Sequence, residues 1–153
     1  YRSIEPSKDV DVFMIAPNVG EAEKPLAKIA SGGELSRVVL AVKTILTEGD
    51  AVGTVVFDEV DSGIGGGVAE VVGMKIKEIA GHHQVLCITH LPQIAKFGHH
   101  HYRIEKQVVS GRTCTSITPL SEEGRVAEMA RMLGGVEVTR ATLDHAREML
   151  SCS

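Results

Sequence analysis

Two acidic residues stand together where a short apolar run ends: Thr54-Val55-Val56-Phe57 is followed at once by Asp58-Glu59. A continuous apolar run of this kind suits a strand buried in a parallel sheet. In such sheets, ligands bind beyond the carboxyl ends of the strands. Side chains alternate in direction along a strand, but past its end both carboxylates can reach one crevice. Asp58 offers hard oxygen atoms suited to magnesium, mostly through water. Glu59 can take a proton from an attacking water. Two acids that simply end a strand and cap the next turn would look the same, and the pair alone does not choose.

A second group, Ser31-Gly32-Gly33-Glu34, stands immediately before a helical pattern. Two glycines let the backbone approach an anion, and a helix N-terminus presents free N–H groups and the positive end of a dipole. A capping box accounts for Ser31 and Glu34 but leaves the glycines without a purpose. A third candidate is His90, which follows the apolar run Val85-Leu86-Cys87-Ile88 and Thr89. A histidine there can bond a phosphate oxygen or a water, or it can be a histidine at the edge of the core that the backbone satisfies.

The elements that must hold these residues follow from periodicity and punctuation. Residues 10–16 read as a strand closed by Pro17-Asn18-Val19-Gly20, and residues 21–28 as a charged connector. Leu35, Val38, Val39, Val42, Ile45 and Leu46 recur at helical spacing and predict a helix over 34–47 that Gly49 ends. Strands follow at 54–57 and 85–89. Between them, a glycine cluster at 63–67 leads into a helix over 68–80. A short helix is expected at 91–97, a hairpin of strands 102–109 and 113–118 turning at Ser110-Gly111, and two closing helices at 122–133 and 139–150 parted by Gly134-Gly135. Strands alternating with helices imply an α/β fold with a mainly parallel sheet.

Composition narrows the class. The chain has 153 residues, about one domain's worth. Its 3% of aromatics and lack of Trp leave a core of Val, Ile, Leu, Ala and Met. A net charge of −4 argues against a surface that grips nucleic acid by phosphate contacts alone. A local basic patch from Lys96, Arg103, Lys106 and Arg112 remains open, and with it a non-enzymatic DNA-binding or interaction module. No stretch approaches the roughly 18 apolar residues of a membrane span. Cys87, Cys114 and Cys152 lack metal-ligand spacing, as in a reduced, cytoplasmic protein. Cys87, inside its apolar run, reads as a small hydrophobe. The glycine run from Gly63 fails as a dinucleotide fingerprint, because the third required glycine falls on Val68 or Glu70. His99-His100-His101 makes a poor chelate in a strand and reads as a solvated strand start.

The three groups also occur in a telling order. Ser31-Gly32-Gly33-Glu34, Val55-Val56-Phe57-Asp58-Glu59 and Ile88-Thr89-His90 resemble the signature motif, Walker B motif and switch histidine of ABC-type ATPases. Glu34, where Gln is usual, and Asp58-Glu59-Val60-Asp61 resemble the SMC-like branch. Longer strings resemble the RecN family of bacterial DNA repair proteins: Ile29-Ala30-Ser31-Gly32-Gly33-Glu34-Leu35-Ser36-Arg37, Phe57 through Gly66, Ile88-Thr89-His90-Leu91-Pro92-Gln93-Ile94-Ala95, and Arg125 through Gly135. The resemblance runs from about Val10 to Leu150.

By matching position, the resemblance implies a site shared between two copies. Ser31, Gly32 and Gly33, with Glu34, would contact the γ-phosphate of ATP held by a second head, giving a homodimer across ATP. Asp58 would help hold Mg2+, and Glu59 would be the general base. Asp61, Ser62, Gly63 and Ile64 would form the loop that crosses the interface, and His90 would sense the γ-phosphate. Two positions depart from the pattern: Gly65 stands where SMC proteins close that loop with Asp, and Ala30 where Leu often opens the signature. No Gly-x-x-x-x-Gly-Lys-Ser/Thr phosphate loop occurs in the sequence. In the family that loop lies near the start of a much longer chain, beyond a coiled coil.

Residues 1–153 are therefore expected to form the C-terminal lobe of an ABC/SMC-type ATPase head, cut from a longer cytoplasmic, nucleoid-associated protein. That protein would meet DNA as a whole. Val55, Val56, Val85 and Ile88 read as buried. Without the N-terminal lobe, some apolar surface and a sheet edge should remain uncovered, which favours self-association.

Overall fold

The computed structural model of the chain describes residues 14–16, 20, 22–25, 32–45, 52–109, 111–135 and 137–152. Ser31 and Ser110 lie outside the described residues, as do residues 10–13 of the expected first strand, 21 and 26–28 of the connector and 46–47 of the expected first helix. In chain order the elements are β1 (Met14–Ile15), β2 (Lys24–Pro25), α1 (Gly32–Ile45), β3 (Thr54–Phe57), α2 (Gly66–Ile79), β4 (Gln84–Cys87), α3 (Pro92–Ala95), β5 (Tyr102–Val109), β6 (Arg112–Pro119), α4 (Glu122–Gly134) and α5 (Arg140–Ser151).

At the centre, β3 and β4 pair in parallel, Thr54 with Gln84 through Phe57 with Cys87. The crossover is α2, as a parallel pair requires. The pairing continues past the strands, with Ile88 N donating to Phe57 O at 3.0 Å. Val55 and Phe57 turn to one face and bury against Leu40 of α1, Val72, Ile76 and Ile79 of α2, and Ile94 of α3. The other pairs, β1 with β2 and β5 with β6, are antiparallel. Among the described residues the parallel part of the sheet is thus two strands wide.

The apolar runs do not bury on both faces. Val56 and Ile88 are 61% and 50% exposed, and Leu86 faces outward with them. This corrects the expectation that Val56 and Ile88 are core. Strand alternation sends these side chains to the face opposite the helices, where no described element covers them. On α1 the recurring apolar positions Leu35, Val39, Val42 and Ile45 are likewise exposed, and Leu40 is the residue that reaches the core. Val68, Val71 and Met74 form a third exposed row on α2.

A smaller core joins α4 and α5 through Met129, Ala130 and Ala146, with Ala95 of α3 packed against it. Both helices begin as their sequences dictate. The Ser121 hydroxyl accepts from Gly124 N and that of Thr139 from Thr142 N, each at 3.2 Å. Gly135, at φ 67°, ends α4 by donating to Arg131 O at 2.9 Å. A left-handed end of this kind favours glycine.

Close packing inside α2 gives a test. A Cβ on Gly73 would lie 2.5 and 2.8 Å from ring carbons of Phe97, while one on Gly67 would meet nothing within 4 Å. Gly73→Ala should destabilise by about 1–3 kcal/mol in urea unfolding, because overpacking outweighs propensity. Gly67→Ala should be neutral or stabilise by up to about 1 kcal/mol. Equal effects would show that Gly73 is not packed this way.

Candidate functional site

Two chain exits lie side by side beyond β3 and β4. The first carries Asp58 and Glu59, both exposed, and then turns sharply, with Ser62 N donating to Glu59 O at 3.0 Å. Glu59 makes that turn at φ 56°, the only positive φ at a non-glycine residue among the described residues. The second exit carries Thr89 and His90, and the His90 side chain is 73% exposed.

Asp61 joins the two exits. It is buried, and a single carboxylate oxygen, Oδ2, accepts from Thr89 Oγ1 at 2.6 Å and His90 N at 2.8 Å, while His90 Nδ1 lies 2.9 Å from the same oxygen as a charge pair. The Thr89 hydroxyl in turn accepts from Leu91 N at 3.1 Å. Burial pushes the Asp61 pKa up, but the Thr89 hydroxyl, the His90 N–H and the charge of His90 outweigh it and hold the carboxyl below its ordinary 3.8. Its ionisation therefore contributes stability that is full above the unfolded value and is lost as pH falls through the lower folded value.

The start of α1 closes over this turn. A Cβ on Gly32 would overlap the Glu59 carboxylate, and one on Gly33 would lie 2.7 Å from Ser62 Cβ and 2.9 Å from Glu59 O. Both glycines thus have a packing purpose, which the capping-box pattern did not supply. Ser36 Oγ donates to Asp58 O at 2.7 Å, and Arg37 Nη1 donates to Ser62 O at 2.8 Å and to Val60 O at 3.3 Å. Each such bond contributes about 0.5–1.5 kcal/mol.

The structure thus brings Gly32, Gly33, Asp58, Glu59, Asp61, Ser62 and His90 into one neighbourhood. Glu34 is half-buried in the first turn of α1. Ser62 and Gly63 are exposed, whereas Ile64 packs against the core. Asp61 turns inward. Ser36, Arg37 and Thr89 received no role from sequence alone. The available signal for Arg37 was its place one helical turn after Gly33, on the same face.

Cys87, at the end of β4, has its pKa pushed up to about 12 by burial and by the charges of Asp61 and Asp58. It is an inert apolar thiol, as its place in the run suggests. Among the described residues no three His, Cys, Asp or Glu side chains gather as a metal-holding group. Two exposed carboxylates beside a strand end still suit magnesium, which keeps several waters and takes other ligands from phosphates.

Other candidates disperse. Lys96 pairs with Glu70 at 2.5 Å and lies over the Phe97 ring, and Arg103 pairs with Glu105 at 3.0 Å, so the suggested basic patch is partly neutralised. His99 and His100 are exposed, but His101 is half-buried. Its Nε2 lies 2.8 Å from Ala95 O, and burial, then Arg125, lower its pKa.

No protein-family model matches the chain. Curated proteins do. It is 49% identical over 142 residues to "DNA repair protein RecN" of Bacillus subtilis (strain 168), covering 93% of this chain and 25% of that protein. The protein of the same name from Deinococcus radiodurans is 52% identical over 142 residues, covering 92% and 25%. That from Haemophilus influenzae is 48% identical over 139 residues, covering 91% and 25%. The chain spans about a quarter of the length of these relatives. It also resembles a solved structure from work on the structural biochemistry of ATP-driven dimerization and DNA-stimulated activation of SMC ATPases. That likeness has a TM-score of 0.50 at 19% identity and covers 77% of this chain and 70% of that one. It speaks for the fold alone, which is α/β.

The left-handed turn supplies a test that does not depend on activity. A side chain at φ 56° costs about 1 kcal/mol relative to glycine. Glu59→Gly should therefore be more stable than Glu59→Ala by about 1 kcal/mol in chemical denaturation. Equal stability would mean that the turn is not held left-handed.

Proposed function

The chain is a RecN-family sequence over nine-tenths of its length, and from that premise we propose that it is the C-terminal lobe of an ATP-hydrolysing head. The whole protein would be SMC-like, act in DNA double-strand break repair and recombination, and meet DNA through its full length in the cytoplasm at the nucleoid. One observation carries the proposal: the ends of β3 and β4 bring Glu59 and His90 to a common edge, tied together through Asp61.

Phosphoryl transfer to water asks the protein mainly for positioning and for electrostatic stabilisation. Glu59, exposed at the turn, accepts the proton of the attacking water. His90 presents its free ring edge to the γ-phosphate. Asp58 would hold Mg2+, mostly through water, and the bound ion would offset phosphate charge. Ser31, Gly32, Gly33 and Glu34 serve the ATP of a second copy at the start of α1, with Asp61, Ser62, Gly63 and Ile64 as the loop beside the joint.

The uncovered rows Val56, Leu86 and Ile88 of the sheet, and Leu35, Val39 and Val42 of α1, suit the protein's own N-terminal lobe. That lobe would also supply the phosphate loop, and so the larger part of nucleotide affinity. A non-enzymatic DNA-binding module is less well supported. The net charge is −4, and two of the four basic residues that would form its surface are ion-paired.

Two outcomes are expected. The purified 153-residue chain should turn over ATP no faster than its Glu59→Gln variant in a magnesium-dependent phosphate-release assay; turnover well above that control would contradict the division into lobes. In the full-length protein, Glu59→Gln should keep ATP binding within about twofold while turnover falls about a hundredfold or more, because Gln retains the shape but cannot accept a proton. A loss of less than about threefold would remove Glu59 from the role of base.

A further inference from the structure

Asp61 is buried and ionised although it belongs to neither strand; its carboxylate accepts from Thr89 and from the His90 backbone and sits 2.9 Å from the His90 ring. A carboxylate of this kind is costly to bury unless donors satisfy it. Here the donors come from the residue before the histidine and from the histidine's own backbone, and the ring's Nδ1 lies 2.9 Å from the same oxygen. An ionised carboxylate has no proton to give, so the ring nitrogen facing it, Nδ1, must carry the hydrogen. That contact turns Nδ1 toward the carboxylate and leaves Nε2 as the working atom on the open side. Neutral, Nε2 offers a lone pair to a water; protonated, it offers an N–H to a phosphate oxygen.

We infer that Asp61 is a positioning residue for His90: through its carboxylate it sets which nitrogen of His90 faces the nucleotide and where that nitrogen stands. This rests on the proposed role of His90 in ATP hydrolysis. It gives Asp61 a task inside its own head, distinct from contact across an interface. The Thr89 hydroxyl belongs to the same device. Held by Leu91 N on one side, it donates to Asp61 on the other, and so fixes the carboxylate that fixes the ring.

Asp61→Asn keeps the shape but replaces one carboxylate oxygen with an amide that donates. If the amide faces Nδ1, the ring must accept there and the opposite tautomer is favoured. If the amide oxygen faces Nδ1, a charged acceptor is lost.

The test is a double-mutant cycle in the full-length protein, read as single-turnover ATP hydrolysis. Variants are Asp61→Asn, His90→Ala and both together, with Glu59→Gln as reference and thermal unfolding followed for each. Losing the partner that orients a working histidine typically costs about 10–100-fold. Asp61→Asn should therefore slow hydrolysis by that range in the wild-type background, with KM for ATP within about twofold, and by less than about twofold in the His90→Ala background.

An equal loss in both backgrounds would overturn the inference, since a merely structural Asp61 tying β3 to β4 acts whether or not the ring is present. An unchanged rate in His90→Ala would overturn it too, because there would be no histidine role to position. If Glu59→Gln also hydrolysed ATP at the normal rate, the failure would lie in the proposed function itself. If Asp61→Asn is unfolded at the assay temperature, Thr89→Val takes its place, since it removes one bond and leaves the charge. It should slow the wild type by about threefold and leave His90→Ala unchanged, and equal loss in both backgrounds would again contradict the positioning role.

Discussion

Burying a carboxylate costs several kcal/mol unless hydrogen bonds replace the lost water, and Asp61 meets that condition in a way that organises its surroundings. Its donors all come from the exit of β4, whereas its own backbone belongs to the exit of β3. The turn that presents Glu59 and the residue that presents His90 are therefore fixed relative to each other through one oxygen atom. The parallel pairing of β3 with β4 sets the two exits side by side, and Asp61 sets their spacing. The tight left-handed step at Glu59 is stable in this frame because the chain on both sides is held: Phe57 and Val60 are buried, and Ser36 and Arg37 grip the carbonyls of Asp58, Val60 and Ser62.

α1 is the second constraint. Its first turn packs so closely over residues 59–62 that Gly32 and Gly33 have no space for a Cβ. Motion of this helix start would therefore be felt at Glu59. If the same glycines also serve the nucleotide of a second copy, as proposed, arrival of that nucleotide would bear directly on the turn that carries the base. The two requirements on the glycines, close packing and approach to an anion, are compatible because both need bare backbone at the N-terminus of a helix.

Much of this was legible from sequence because it is local. Helix 122–133 lies within one residue of α4, and strand 54–57 coincides with β3, since Ser121, Gly135 and the boundary at Asp58 act over a few residues. Asp58, Glu59 and His90 were placed beyond strand ends by pattern alone. Burial was less legible. Val56, Leu86 and Ile88 have the apolar character of a two-sided strand, yet one face is open in the described residues, and what covers a sheet face is decided by elements remote in sequence. The inward turn of Asp61 was invisible for the same reason: its partners lie 28 and 29 residues away, and neither Thr89 nor His90 announces a buried carboxylate.

In the proposed function, Glu59 and the start of α1 serve the same ATP from different copies of the protein. Mixing two full-length variants tests it most directly: Glu59→Gln, which lacks the base, and Ser31→Arg, which obstructs the signature. Each should be inactive alone. In a mixed pair, one site loses both contributions and the other keeps both. An equimolar, exchanged mixture should then recover about a quarter of wild-type turnover, since half of randomly formed pairs are mixed and each has one of its two sites intact. A mixture as inactive as its components would contradict a site shared between copies.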